Sequence, residues 1–291
     1  MSLSTQTKSI AIRLLRKMRD IYRAVRIAGL RGTLNMIRTM NMKPSNDPGQ
    51  PNPGDDRFGS APLFRYATCN DLTTLLAQYP QYARADRESD KSPAYGLKSV
   101  GTLFCVDRIV RLKPQRVLEV GTGWNTHFDK HFGEALEYWM IDDATEIGDT
   151  SASKEKFEQA VRERKHTHFV RGWLGSFLAD LPEDHFDLVF SISAIEHVPA
   201  SAKRNFYKDM FRVLKPGGAI AHSIDLADEA LARAEFEVIR QTGFLLPKRP
   251  DLRLRVLPSE GDPTLFEDFW TVFHAYLGLN RSDKWTNLKQ I

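Results

Sequence analysis

The residues whose types and spacing best suit chemistry lie in a glycine turn that follows a short apolar run. The run, residues 116–120, is mostly aliphatic and predicts a strand buried on both faces of a parallel sheet. Gly121 and Gly123 flank Thr122 in the turn that follows. Glycine adopts backbone conformations that other residues resist, and it lets a ligand lie against bare main chain. Because open α/β sheets bind ligands at the carboxyl ends of their strands, this turn predicts a small-molecule site.

Two carboxylates end the next apolar run and add a second binding group. Asp142 and Asp143 follow residues 138–141, and Asp142 stands nineteen positions after Gly123. A carboxylate at the tip of a neighbouring strand can accept hydrogen bonds from both hydroxyl groups of a ribose. We therefore predict that this pair binds a ribose, and we favour Asp142 because it comes first after the strand.

Further apolar runs supply the sheet that must position these residues. Each is short, apolar and followed by a turn, and helix-like periodicity fills the intervals between them. The predicted strands are 168–170, 186–192 and 219–224, and the predicted helices are about 95–112, 151–164 and 228–240. This alternation predicts an α/β domain whose sheet has helices on both faces.

Three other segments carry local predictions. Asn70 or Asp71 can cap a helix that ends before Pro80. Residues 252–257 alternate apolar and basic side chains, which predicts a half-exposed strand. The apolar run 269–276 fits a closing strand or a helix, and its periodicity does not decide between them.

Taken in order, these motifs resemble those of the class I S-adenosylmethionine-dependent methyltransferases. The family's motif of an acidic residue, x, Gly, x, Gly stands at 119–123, and FDLVFS, IEHV and RVLKPGG follow within 186–218. The resemblance spans about residues 100–245 and implies a Rossmann-like class I methyltransferase sheet with S-adenosylmethionine as cofactor. A dehydrogenase-type dinucleotide fold is disfavoured, because Thr126 stands where G-x-G-x-x-G has its third glycine.

The resemblance also implies which residues bind the cofactor. Transferred position by position, the set is Glu119, Gly121, Thr122, Gly123, Asp142, Asp143, Trp173, Leu174 and Ser193. The chain departs from the family's pattern at two places. No acidic residue follows the third strand, so Trp173, Ser176 and backbone groups would have to hold the adenine. Asn125 stands where the family commonly has a third glycine, so the turn approaches the ligand less closely.

Methyl transfer from a sulfonium is an in-line displacement that is accelerated mainly by positioning the two reactants. A hydroxyl or amine acceptor also loses a proton, which a nearby base can take. His197 and His222 lie near the ends of the fourth and fifth strands, and both are candidate bases. The alternative is that Glu-His at this place only caps or packs.

A metal ion is not expected. Some family members bind a divalent cation through Glu-x-x-Glu-His, but here Ser193 replaces the first glutamate. The remaining Glu196, His197 and His222 would be a thin ligand set for a cation that prefers oxygen.

The positive charge is concentrated in one segment. Residues 1–44 contain ten Lys or Arg against one acid, so this segment carries +9 and the rest of the chain carries 4 − 9 = −5. A mildly acidic body disfavours a nucleic-acid groove.

Residues 8–28 form a predicted basic amphipathic helix with Leu14, Met18, Ile21 and Val25 on one stripe. Three interpretations fit such a helix: it binds an anionic membrane surface, it packs on the domain or on a partner protein, or it is a cleaved targeting segment.

Composition divides the chain into three parts. Residues 1–43 are the basic helical segment, 44–62 a Pro/Gly-rich linker, and 63–291 the methyltransferase domain. Only two cysteines occur, Cys69 and Cys105, which argues for a reducing compartment. We expect a cytoplasmic protein that is peripheral to the inner face of the cell membrane.

The acceptor is predicted from weaker signals. The variant turn 121–124, Gly-Thr-Gly-Trp, resembles that of bacterial methyltransferases of surface-glycan biosynthesis. A basic membrane-binding helix agrees with this, because lipid-linked glycans are made at the membrane. The sequence therefore favours O-methylation of a sugar in a membrane-associated glycan. Two alternatives stay open: a quinone or lipid methyltransferase, and an interaction protein that has the fold but no catalysis.

Overall fold

The computed structural model describes the part of the chain that carries the predicted sheet. The described residues are 62–82, 94–122, 127–143, 155, 158–159, 161–163, 167–226, 228–248, 250–255, 264, 266–267 and 272–281. The basic helical segment, all of the linker except Pro62, and Gly123 lie outside the described residues. In the part that is described, no helix is both long enough and apolar enough to cross a membrane.

Helices and strands alternate along the described chain. The strands are β1 Leu63–Tyr66, β2 Arg116–Val120, β3 Glu137–Asp142, β4 Thr167–Arg171, β5 Phe186–Ile192, β6 Leu214–Leu226, β7 Phe244–Leu245, β8 Phe266–Glu267 and β9 Val272–Arg281. The helices are α1 Cys69–Gln78, α2 Ala94–Leu112, α3 His127–Phe132, α4 Ala200–Val213 and α5 Glu229–Arg240, with short 3₁₀ helices at Pro80–Tyr82 and Ile195–His197.

In the described chain, nine strands form one sheet that contains a reversal of strand order. The order is β1-β9-β6-β5-β2-β3-β4, and β7 and β8 also pair with β9. Strands β2 to β6 are parallel, whereas β9 runs antiparallel to β6 and β1. From β2 the chain builds outward through β3 and β4, then returns to place β5 on the other side of β2. This reversal opens a crevice at the carboxyl ends of β2 and β5, where ligands of such sheets bind.

The strand predictions for the central sheet are confirmed, and two peripheral predictions are settled. The run 269–276 contributes to a strand, because β9 begins at Val272. The strand predicted over 252–257 is wrong where the chain is described: residues 252–255 form no ladder, and only Asp251 bridges to Arg65. Leu252 is buried and Leu254 is half-buried against the core, so their alternation with basic residues reflects side chains packed from an irregular segment rather than a sheet face.

The N-cap of α1 lies two or three positions earlier in the chain than predicted. Thr68, not Asn70 or Asp71, is the N-cap residue, and its side chain accepts a hydrogen bond from the Asp71 amide. The Asp71 carboxylate in turn accepts from the Thr68 amide at 2.8 Å, which completes a capping box. Arg65 of β1 also pairs with Asp71, so this cap fastens α1 to the edge strand.

Two apolar layers cover the two faces of the sheet. One layer contains Phe104 of α2 and Phe128 of α3, and the other contains Met210 of α4 and Ile239 of α5. Neighbouring residues of β2 are divided between the layers, as expected for a strand buried on both faces. The prediction of helices on both faces of the sheet is therefore confirmed.

Candidate functional site

The crevice at the reversal is built from two chain segments that approach each other closely. Gly121 follows β2 with φ +68°, and a Cβ added to it would lie 2.6 Å from the Cβ of Ala194, just beyond β5. The Gly121 amide donates a hydrogen bond of 2.9 Å to the carbonyl of Ile141 in β3. Only glycine meets both the dihedral angle and the space, so the turn presents bare backbone to a ligand.

Two hydroxyl-bearing residues flank this close approach. Thr122 is buried, and within the described chain its Oγ1 has no hydrogen-bond partner. A buried polar group without a partner is costly unless a ligand or water satisfies it, so this hydroxyl is available to a ligand. Ser193 follows β5 with φ +48°, and its amide donates to the Ser223 carbonyl at 2.9 Å. Positive φ at a non-glycine residue is strained and concentrates at functional sites.

The predicted ribose-binding carboxylates lie at the same edge of the sheet. Asp142 is the last residue of β3, half-buried, and the exposed Asp143 follows it. The Asp142 carbonyl accepts a hydrogen bond of 3.0 Å from the Gly172 amide, which ties β3 to the turn after β4. The parallel register that pairs Val120 with Ile141 places Asp142 beside the glycine turn.

Glu119 lies inside the sheet rather than at its edge. Its carboxylate is buried and accepts a hydrogen bond from the Tyr138 hydroxyl of β3. This contact joins the two strands that carry the glycine turn and Asp142. The side chain thus links the two strands that carry the site, and its predicted contact with the cofactor stays a prediction.

The loop after β4 is held in place by a buried aspartate that the sequence analysis missed. Asp209 of α4 accepts hydrogen bonds from the amides of Gly175 and Phe177, at 2.7 and 3.0 Å. The loop leaves Trp173 38% exposed at the edge and buries Leu174 completely. The available signal was an acidic residue among the apolar side chains of 206–213, because a buried carboxylate must have partners.

The two histidines predicted as bases lie in different surroundings. His197 ends the second 3₁₀ helix and is exposed, next to the end of β5. His222 is fully buried, with Nδ1 2.8 Å from Ser191 Oγ and Nε2 3.1 Å from Met210 Sδ. Burial lowers the pKa of His222 to about 3, so it stays neutral within the layer under α4. We therefore do not retain His222 as a candidate base.

The described residues contain no group of three or more His, Cys, Asp or Glu side chains placed to hold a metal ion.

The doubly wound sheet, the glycine turn after β2 and the carboxylate that ends β3 are features expected of the class I S-adenosylmethionine-dependent methyltransferases. Residues 118–222 match the model of the family described as "Methyltransferase domain". This match covers the turn, Asp142, the loop after β4 and the segment after β5. Residues 118–222 therefore carry the sequence and the fold of a methyltransferase domain, with S-adenosylmethionine as its cofactor.

Solved structures similar to this chain share little sequence with it. The N-methyltransferase NodS from Bradyrhizobium japonicum, in complex with S-adenosyl-L-homocysteine, is 14% identical and aligns over 73% of this chain and 98% of its own, with TM-score 0.43. Geranyl diphosphate C-methyltransferase from Streptomyces coelicolor is 10% identical over 68% of this chain and 88% of its own, with TM-score 0.41. Among curated proteins, none matches the chain. The class assignment therefore rests on the matched domain and the strand order.

Proposed function

We propose that this protein transfers a methyl group from S-adenosylmethionine to a hydroxyl group of a sugar in a membrane-associated glycan. The observation that carries methyl transfer is the close approach of Gly121 to Ala194 at the strand reversal. The sugar is supported by the turn sequence 121–124 and by the basic segment that precedes the domain.

The residues at this edge suit the parts of the cofactor. Asp142, with Asp143 beside it, would accept hydrogen bonds from the ribose hydroxyls. Thr122 offers a hydroxyl that has no partner among the described residues, and the Gly121 backbone lies open beside it. The full proposed set is Glu119 in support, Gly121, Thr122, Gly123, Asp142, Asp143, Trp173, Leu174 and Ser193.

The adenine is proposed to lie on the loop after β4. The exposed ring of Trp173 and the backbone near Leu174 are the groups that this loop presents, since no acidic side chain occurs in 172–176.

When bound, the cofactor supplies a methyl group on a sulfonium that reacts with nucleophiles. The chain's own task is to hold the acceptor in line and exclude water, with exposed His197 as the candidate to receive the acceptor's proton.

A second candidate, methylation of a quinone or lipid, is supported by the same basic segment. Residues 8–40 would bring the domain to an anionic membrane surface at the inner face of the cell membrane, where either acceptor is found. An interaction protein without catalysis is disfavoured by the glycine turn and Asp142. No nucleic-acid partner is proposed, because the net charge outside residues 1–44 is 4 − 9 = −5.

The acceptor class is tested by measuring release of S-adenosylhomocysteine with three sets of acceptors. These are polyprenyl-linked sugars and methyl glycosides, hydroquinones, and fatty acids. We expect transfer to the sugars. Transfer to hydroquinones alone would replace the sugar proposal with the quinone alternative.

We predict that four arginines of the basic segment hold the full-length protein on anionic membranes. Each basic residue near an anionic surface contributes about 1 kcal/mol, so replacing Arg16, Arg19, Arg23 and Arg26 with Gln weakens binding by roughly 1,000-fold. Sedimentation with phosphatidylserine vesicles measures this, and neutral vesicles should not pellet the protein strongly.

The matched control removes the same charge from the folded body. The control arginines are Arg162, Arg233, Arg240 and Arg253, which are all exposed and pair with carboxylates that are also exposed. Changing these four to Gln should leave pelleting nearly unchanged. Equal losses in both variants would show that net charge alone, rather than the basic segment, binds the vesicles.

A further inference from the structure

A buried carboxylate lies in the sheet two residues before the Gly121 turn. Glu119 is 4% exposed, and its Oε2 accepts a hydrogen bond from the hydroxyl group of Tyr138, which is fully buried. The strand register pairs Tyr138 with Val117, so the tyrosine side chain extends along β2 toward the carboxyl end of that strand. The contact therefore lies directly before the turn that forms the cofactor site together with Asp142.

This contact favours the ionised form of Glu119. A hydrogen bond donated to a carboxylate stabilises its charged form. The negative charge also acts on Cys105 of α2: burial, and then Glu119, raises the pKa of this thiol, and Arg108 opposes them with a smaller effect. On this side of β2 the charge of Glu119 thus outweighs that of Arg108.

Stability alone does not account for a charge at this position. The pair lies in an apolar layer, and the ring of Phe190 packs against that of Tyr138 with 6.2 Å between their centroids. Well-packed apolar side chains of similar size could fill such positions without loss of stability. An effect on the neighbouring site explains the buried charge better.

The cofactor and its product differ in charge at one atom. The sulfur of S-adenosylmethionine is a sulfonium cation, whereas that of S-adenosylhomocysteine is a neutral thioether. A strand advances by about 3.3 Å per residue, so the Cα atoms of Glu119 and Gly121 are separated by about 7 Å. Over such distances inside a protein, two unit charges interact by more than the thermal energy.

We propose that the charge of Glu119, maintained by the hydrogen bond from Tyr138, makes the site prefer the sulfonium cofactor to the thioether product. Glu119 acts here through its charge and needs no contact with the cofactor, and its shielding from solvent strengthens the interaction. Tyr138 is a positioning residue that acts through Glu119. The preference limits inhibition by the product, whichever acceptor is methylated.

The test is calorimetric titration of each variant with both compounds at neutral pH. Glu119→Gln keeps the shape of the side chain and removes its charge. We expect its preference for S-adenosylmethionine to fall on the order of 10-fold, while its affinity for S-adenosylhomocysteine stays within about threefold. Tyr138→Phe removes only the donor, so that the buried carboxylate takes up a proton more readily, and its preference should fall by about threefold.

Tyr79→Phe is the matched control. The Tyr79 hydroxyl donates to the buried carboxylate of Asp107 at 2.8 Å. Because α2 ends shortly before β2 begins, Asp107 lies toward the amino ends of the strands, away from the turn. This variant should keep the wild-type ratio of the two affinities, even where its melting temperature changes.

The ratio of the two affinities decides each point. An unchanged ratio in folded Glu119→Gln overturns the proposal, and so does equal weakening of both compounds, because a merely structural role acts on both alike. A wild-type ratio in Tyr138→Phe overturns the role of Tyr138. Should Glu119→Gln fail to fold, the ratio in Tyr138→Phe decides the whole proposal. A wild-type protein that binds neither compound overturns it together with the cofactor site, whereas a failure to methylate sugars leaves it standing.

Discussion

A Gly121→Ala protein is expected to fold but to bind S-adenosylmethionine at least about 100-fold more weakly than the wild-type protein. The backbone of Gly121 has φ +68°, a conformation that costs an alanine roughly 1–2 kcal/mol. The new Cβ would also lie 2.6 Å from the Cβ of Ala194, so the turn or the end of β5 must move. Either movement displaces the backbone against which the cofactor is proposed to lie. Isothermal titration calorimetry measures the affinity directly.

The control separates the strain of positive φ from the clash. Gly217, in the turn at the start of β6, has φ +77°, and a Cβ there would meet no atom within 4 Å. Gly217→Ala should therefore lower stability by about 1 kcal/mol and leave cofactor affinity unchanged. A folded Gly121→Ala protein with wild-type affinity would contradict the proposed position of the cofactor.

Asp209→Asn is expected to lower the free energy of unfolding by about 3 kcal/mol and to weaken cofactor binding as well. The fully buried carboxylate accepts two amides of the loop after β4 and pairs with Arg212, whose Nε lies 2.8 Å away. The asparagine oxygen can still accept from the loop. Its NH₂ group then faces the guanidinium of the largely buried Arg212, which keeps, among carboxylates of the described chain, only the longer contact of 3.7 Å with the exposed Glu183. Urea unfolding and calorimetry measure the two effects.

An exposed ion pair on α5 gives the comparison for this variant. Glu237 pairs with Arg240, and both side chains are more than half exposed, at 55% and 60%. Glu237→Gln should change stability by less than about 1 kcal/mol, as is usual for surface pairs. A loss for Asp209→Asn no larger than that would mean that the loop does not depend on Asp209.

The central strands, and the end of the sheet that carries the candidate site, could be predicted because the sequence patterns that indicate them are local. Residues 116–120 and 186–192 are short apolar runs bounded by turns, and such runs form buried strands wherever parallel sheets occur. Once 116–120 and 138–141 were assigned to neighbouring parallel strands, the position of Asp142 beside the Gly121 turn followed. The carboxyl ends of parallel strands share one edge.

The features that the sequence did not reveal depend on contacts between distant segments. His222 faces the layer under α4 only because of the register of β6, and one residue of slip would turn it to the other face. Strand β1 pairs with β9, so that Leu63 lies opposite Gly278 from the far end of the chain. Glu119 and Tyr138 likewise become neighbours only when β2 and β3 are aligned. No local pattern carries this information.

Calorimetric titration of the wild-type protein with S-adenosylmethionine, followed by displacement with S-adenosylhomocysteine, tests the central claim most directly. We predict saturable binding of one cofactor per chain, competition between the two compounds, and loss of binding in Gly121→Ala but not in Gly217→Ala. Absence of binding by the folded wild-type protein, or equal binding by both glycine variants, would contradict the assignment of the Gly121 turn as the cofactor site.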